Sequence, residues 1–144
     1  MKEGYDIIET LRIPSSFDHV GKVETLIDRV CADLAVNEDY YGNVLIAVTE
    51  AVNNAILHGN RRQESLEVDV AVGDGGESFC FSVSDEGPGF DYTNLPDPTA
   101  PENILQENGR GIFLMRNLSD DVEFDNQGRT VNIYFSKQWF HLSL

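Results

Sequence analysis

Thr49-Glu50-Ala51-Val52-Asn53-Asn54-Ala55-Ile56-Leu57-His58-Gly59-Asn60 lies near the middle of the chain and carries an apolar and a polar pattern at once. With Val44, Leu45 and Val48 just upstream, its Val52, Ala55 and Ile56 recur at helical spacing. The spacing predicts a helix over 38–58, ended by Gly59. Glu50 and Asn54 are four residues apart and fall on one stripe flanking that apolar face. Ala47 and His58 lie along the same side, and Asn53 points away from the core. A carboxylate and a carboxamide at the edge of a buried face belong at the rim of a pocket. A solvated polar flank explains most such pairs, so the pair alone does not establish a site. His58 is a candidate ligand or general base, and a lone histidine at a helix end is more often a cap.

Upstream, residues 5–13 alternate loosely and predict a strand with Ile7, Glu9, Leu11 and Ile13 on one face. Pro14 stops it, and Ser15-Ser16 supplies a cap for a helix over 17–36. Downstream, residues 66–72 and 78–84 flank Gly73-Asp74-Gly75-Gly76 and predict a hairpin. A long polar loop over 86–108 follows, of the kind that is functional or mobile. A short helix follows Gly111, and residues 122–124 and 130–135 predict a closing hairpin around Asp125-Asn126-Gln127-Gly128. The apolar tail at Trp139 and Phe140 is a candidate strand edge or contact surface. Strand, two helices, hairpin, loop, short helix and hairpin imply an α+β two-layer sandwich. Its sheet is expected to be mixed, mostly antiparallel and covered by helices on one face, in one domain over 1–144.

Charge excludes whole classes of function. The chain has 25 Asp and Glu against 10 Lys and Arg, a formal net charge of −15. A nucleic-acid binder needs a basic face, and this chain lacks the raw material for one. Anionic membranes are excluded on the same ground. No apolar run approaches the roughly 20 residues needed to span a bilayer. The start, MKEGYDIIET, has no apolar signal core, so a cytoplasmic location is expected. Cys31 and Cys80 are far apart, without metal spacing, and read as reduced structural residues. The 47 residues from Gln63 to Gly109 contain 11 acids and no Lys or Arg.

Three further short patterns carry chemistry. Asp85-Glu86-Gly87-Pro88-Gly89 follows directly on a predicted strand. A strand-end Asp accepts a hydrogen bond from an exocyclic amine, and Gly87 and Gly89 allow a sharp turn close to a ligand. Gly109-Arg110-Gly111 opens the short helix, where free backbone N–H groups and the positive end of the dipole attract phosphate. Arg110 can pair with a phosphate oxygen. Gly128-Arg129-Thr130 opens the last strand and otherwise reads as a hairpin turn. None of these matches a P-loop or a dinucleotide-binding fingerprint.

Taken in order, the four patterns resemble the Bergerat-fold ATP-binding superfamily of gyrase, ninety-kilodalton heat-shock chaperones, sensor histidine kinases and mismatch-repair ATPases. Residues 50–59 look like its N-box, 85–89 its first glycine box and 109–111 its second. Thr130 stands in the position of the last-box Thr, with Arg129 interrupting the usual Gly-Thr. Within the superfamily the chain is most similar to the small anti-sigma-factor serine kinases of bacteria. Thr49 to Asn60 and Gly109-Arg110-Gly111-Ile112-Phe113-Leu114-Met115 carry that likeness.

The resemblance implies ATP and Mg²⁺ as cofactors. It implies Asn54 as the metal ligand, Glu50 as general base and Asp85 as the adenine acceptor. Gly87 and Gly89 would make room, 90–108 would form a lid, and Gly109, Arg110, Gly111 and Ile112 would wrap the phosphates. Thr130 would support the adenine, and His58 would belong to the cofactor site. With no cation between Gln63 and Gly109, Mg²⁺ and Arg110 must supply the countercharge to a triphosphate. The implied partners are a sigma factor and an anti-sigma-factor antagonist, with a homodimer as a further possibility. The alternative is an ATP-binding partner module with little or no kinase activity. A sensor-kinase or gyrase-like ATPase role is not expected, because neither a phospho-accepting His helix pair nor a transducer domain is evident.

Overall fold

The computed structural model describes residues 1–89 and 107–137, and of 107–109 the backbone only. The lid over 90–108 and the tail at Trp139 and Phe140 therefore lie outside the described residues, apart from the backbone of 107 and 108. The described chain runs β1 (Asp6–Pro14), α1 (Val20–Asp33), α2 (Glu38–Asn54), β2 (Glu67–Asp74), β3 (Ser78–Ser84), α3 (Glu107–Leu118), β4 (Asp121–Asp125) and β5 (Thr130–Ser136). The five strands form one sheet in the order β1-β2-β3-β5-β4. Every described pairing is antiparallel. The α+β sandwich is as expected, and the described sheet has no parallel pair.

Alternation decides which face is covered. Val68, Val70 and Val72 of β2, Phe79, Phe81 and Val83 of β3, and Val131, Ile133 and Phe135 of β5 join the core. They pack with Val23, Ile27 and Val30 of α1, with Val44, Val48 and Val52 of α2, and with Ile112 and Met115 of α3. Thr130, Asn132 and Tyr134 alternate with these and lie on the opposite face. There the buried Asn132 donates to Asp125 at 2.7 Å and Glu123 at 3.2 Å.

Three expectations needed correction. Ile7 is 62% exposed. The register slips between Ile7 and Glu9, so Ile8 is an extra residue and Ile7 pairs with Gly73 instead of continuing the core face. The first helix is also shorter than expected. Ser16 accepts from Asp18 N and starts a 3-10 turn over Phe17–His19, which leads into α1. Ser15 is not a cap at all: it is buried and its Oγ donates to Leu66 O at 2.8 Å. Both cysteines are free and buried, and burial pushes each thiol up to about 11. The reduced structural reading holds for both.

Candidate functional site

Helix α2 is capped by Asn37, whose Oδ1 accepts from Asp39 N at 2.9 Å. Its inner stripe of Val44, Val48, Ala51 and Val52 is buried, which fixes the rotation of the helix. Glu50 and Asn54 are thereby held half-buried, one turn apart. Neither side chain has a hydrogen-bond partner among the described residues. After Asn54 the helix does not stop. It widens into a π-turn over Ala55–Gly59, closed by Asn60 N donating to Ala55 O at 2.8 Å. Single π-turns of this kind concentrate at functional sites. Gly59 is thus not a left-handed helix stop. It is a flat spot on which Asp85 rests, since a Cβ there would overlap the Asp85 carboxylate.

The turn after β3 is held at successive residues. Asp85 N donates to Arg129 O at 2.9 Å, Glu86 N to Asn60 Oδ1 at 2.8 Å, and Gly87 N to Asp85 Oδ1 at 2.8 Å. Asn60 is itself 1% exposed and donates to Ser15 Oγ at 2.7 Å and to Glu67 O at 3.0 Å. It ties the end of α2 to the turn. Burial raises the Asp85 carboxyl above its ordinary value, while the Gly87 N–H and the charge of Arg129 pull it back down. Gly87 was expected to make room for a ligand. Its space is taken instead by the Gly59 carbonyl, and that of Gly89 by the Gln127 carbonyl. These glycines allow two backbones to meet, and only Gly89 also lines the cleft.

Between α2, α3 and the sheet lies a cleft of about 780 Å³ including its open mouth. Val83, Val131, Ile112, Met115 and Phe124 make its walls apolar. Asn54, His58, Asp85 and Arg129 supply its polar groups. A largely apolar pocket with a few convergent polar groups suits a flat heteroaromatic ligand. Helix α3 closes one side. An added Cβ on Gly111 would stand 2.7 Å from Asn54 Nδ2 and 3.3 Å from Glu50 Oε2. Glycine at this position keeps the carboxylate and carboxamide open to a third group.

A model of the histidine kinase-like ATPase domain matches residues 13–135. The chain belongs to that family. Among curated proteins it is 30% identical to the serine-protein kinase RsbW of Bacillus subtilis over 132 residues, covering 88% of this chain and 82% of the relative. It is 31% identical to RsbW of Bacillus velezensis, covering 91% and 86%. It is 29% identical to RsbW of Oceanobacillus iheyensis, covering 85% and 81%. The match places the chain with the anti-sigma serine kinases of the family, as the sequence patterns implied.

In this histidine kinase-like ATPase domain the expected residues are not all brought together. Glu50, Asn54, His58, Asp85, Gly89 and Ile112 are at or beside the cleft. Thr130 does not line that cleft, although it borders an adjoining hollow with Asp85 and Arg129. It lies on the outer face of the sheet, 7% exposed, sharing a hydrogen bond with Ser84 Oγ at 2.8 Å and accepting from Asn126 Nδ2 at 3.0 Å. The cleft-facing residue of that turn is Arg129, one position earlier. Gly109 to Gly111 do not precede the helix either. Helix α3 begins at Glu107, so they lie within its first turns. The amide of Gly109 is among the free N–H groups of the helix end, whereas those of Arg110 and Gly111 fall beyond the unpaired ones. Arg110 is exposed. Asn60 and Arg129 were passed over as site residues, although each stood inside or next to a recognised pattern.

Among the described residues no helix is long and apolar enough to cross a membrane, and no group of three His, Cys, Asp or Glu side chains gathers to hold a metal ion.

Proposed function

We propose that the chain is a Mg-ATP-dependent protein serine/threonine kinase and anti-sigma factor. It acts in the cytoplasm, phosphorylates an anti-sigma-factor antagonist and regulates transcription by switching between that antagonist and a sigma factor. The observation that carries this reading is the pair of Glu50 and Asn54 beside the cleft, without side-chain partners among the described residues, with Gly111 leaving open the space in front of them. The donor set fits the implied metal. Mg²⁺ takes one or two protein oxygens and completes its shell with phosphate and water, and Asn54 offers one hard oxygen. Bound there, Mg²⁺ supplies charge neutralisation on the transferring phosphoryl group.

The residues of the chain have the remaining tasks. Asp85 accepts the exocyclic amine of adenine against the apolar walls, with His58 at the rim. The free amide of Gly109, with the Arg110 guanidinium, meets the phosphates. Glu50 takes the proton from the attacking serine or threonine hydroxyl. The hydroxyl oxygen bonds to the γ-phosphorus as the bond to the bridging oxygen breaks, and ADP leaves.

Labelled ATP with the cognate antagonist should yield phosphoserine or phosphothreonine in the presence of Mg²⁺ and none in EDTA. Nucleotide binding without transfer would make the domain an ATP-binding partner module instead.

Gly111→Ala separates site from fold. Alanine in a helix interior is favoured over glycine by roughly 0.5–1 kcal/mol, so the thermal midpoint should hold or rise. The new methyl crowds Asn54 and Glu50, so transfer should fall at least about tenfold, the effect of some 1.4 kcal/mol on the barrier. Wild-type transfer in this variant would remove the pair from the reaction.

A further inference from the structure

We propose that Arg129 is the positioning residue for base recognition: by clamping the two loops at one end of the cleft it fixes Asp85 and so sets which purine is accepted. The inference rests on the nucleotide-binding reading above and deepens it. The turn before β5 is strained. Asn126, Gln127 and Gly128 take φ of 52°, 60° and 86° in succession. Two adjacent non-glycine residues in the left-handed region persist only when their surroundings hold them.

Arg129 does the holding. Its Nη1 donates to Gln127 Oε1 at 3.2 Å and to Asn126 O at 3.4 Å. The same guanidinium reaches across to the turn after β3, with Nε donating to Gly87 O at 2.6 Å and Nη2 to Pro88 O at 3.3 Å. Below it, the Gln127 carbonyl packs onto Gly89, itself at φ +80°. The main chain of Arg129 also accepts from Asp85 N at 2.9 Å. One residue therefore grips the Asp85 turn through both backbone and side chain.

The charge is also placed with purpose. Lys2, Arg12, Arg29 and Lys137 are each spent on a carboxylate. The guanidinium of Arg129 meets neutral oxygens only, among the described residues, and its field reaches Asp85. The stretch that contains Asp85 has no cation of its own from Gln63 to Gly109. Arg129 lends one from the turn before β5.

Specificity follows from rigidity. A fixed carboxylate accepts the 6-amino group of adenine and opposes the 6-carbonyl of guanine, acceptor against acceptor. A site built for one hydrogen-bonding partner rejects the analogue that leaves it unpaired. If the loop is free to move, Asp85 swings aside, water fills the gap and the discrimination weakens.

The test measures ATP and GTP affinity, with Mg²⁺, for the wild-type chain, Arg129→Ala and Arg129→Lys, each with its thermal midpoint. For Arg129→Ala the expected result is ATP affinity about tenfold weaker and an ATP-to-GTP preference reduced by about tenfold or more. Arg129→Lys keeps the charge and one donor without bridging the loops, so its preference should fall between the two, and it carries the test if the alanine variant does not fold. A lowered thermal midpoint with the wild-type base preference, in whichever variant folds, overturns the proposal and leaves Arg129 a purely structural residue. A wild-type chain that binds neither nucleotide overturns the nucleotide reading itself.

Discussion

Glu50→Gln should reduce phosphoryl transfer by about 10²- to 10⁴-fold, the range over which a positioned general base contributes, and leave nucleotide affinity almost unchanged. Glutamine has the shape of glutamate and cannot take a proton at neutral pH. Glu50 accepts no hydrogen bond and forms no ion pair among the described residues, so the exchange breaks no contact that holds the fold. Its half-buried position on α2 is set by Val48, Ala51 and Val52 around it, which the substitution leaves alone. The loss should therefore appear in the rate at saturating ATP and not in the thermal midpoint. Initial rates of labelled transfer, set beside calorimetric ATP affinity, separate the two. Wild-type rates in Glu50→Gln would show that another group takes the proton.

Gly87→Ala should be the most damaging single methyl group. The new Cβ overlaps the Gly59 carbonyl oxygen and comes within 3.0 Å of Asp85 Oδ1. Backbone cannot step aside as a side chain can. On the helix side, Asn60 N is bonded to Ala55 O, and on the loop side Glu86 N is bonded to Asn60 Oδ1. Overpacking of this kind costs about 1–3 kcal/mol, and here two clamped segments must separate. A fall of roughly 5–10 °C in the thermal midpoint is expected, along with loss of nucleotide binding, because Asp85 moves with the loop. Gly42→Ala is the control: it sits in α2 with nothing near its Cβ direction. That variant should be neutral or slightly stabilised. Equal stability of Gly87→Ala and Gly42→Ala would mean that the loop and the end of α2 are not locked together.

The periodic elements were legible in the sequence because their cause is local. Val23, Leu26, Ile27 and Val30, and the valines of β2, announce their buried faces through spacing alone. So do Glu50 and Asn54, which four residues of helix place on one stripe. What spacing cannot report is parity after an irregularity. The extra residue Ile8 reverses the face on which Ile7 lies. Parity also separates the last-box residues: Thr130 and Arg129 differ by one position, and in a strand one position is the other side of the sheet. Here the pairing of Asp85 with Arg129, fixed by long-range register, decided which of them faces the cleft.

The glycines were legible as necessary but not for the right reason. Their spacing signalled close approach, and the partner turned out to be protein backbone at Gly87. Asn60 is invisible to periodicity for a similar reason. Its three side-chain hydrogen bonds reach Ser15, Glu67 and Glu86, which no local pattern brings together. By sequence alone, the acidic stretch from Gln63 to Gly109 needs Mg²⁺ and Arg110 for countercharge. The fold adds Arg129, which arrives beside Asp85 from the turn before β5.

The central claim is that this cleft binds ATP through Asp85, with the metal at Asn54. Calorimetric titration of ATP in Mg²⁺ and in EDTA, on the wild-type chain and on Asp85→Asn, tests it most directly. The expected result is binding by the wild-type chain in Mg²⁺, weakened at least about tenfold both by EDTA and by the substitution. Equal affinity in all four titrations would contradict the claim.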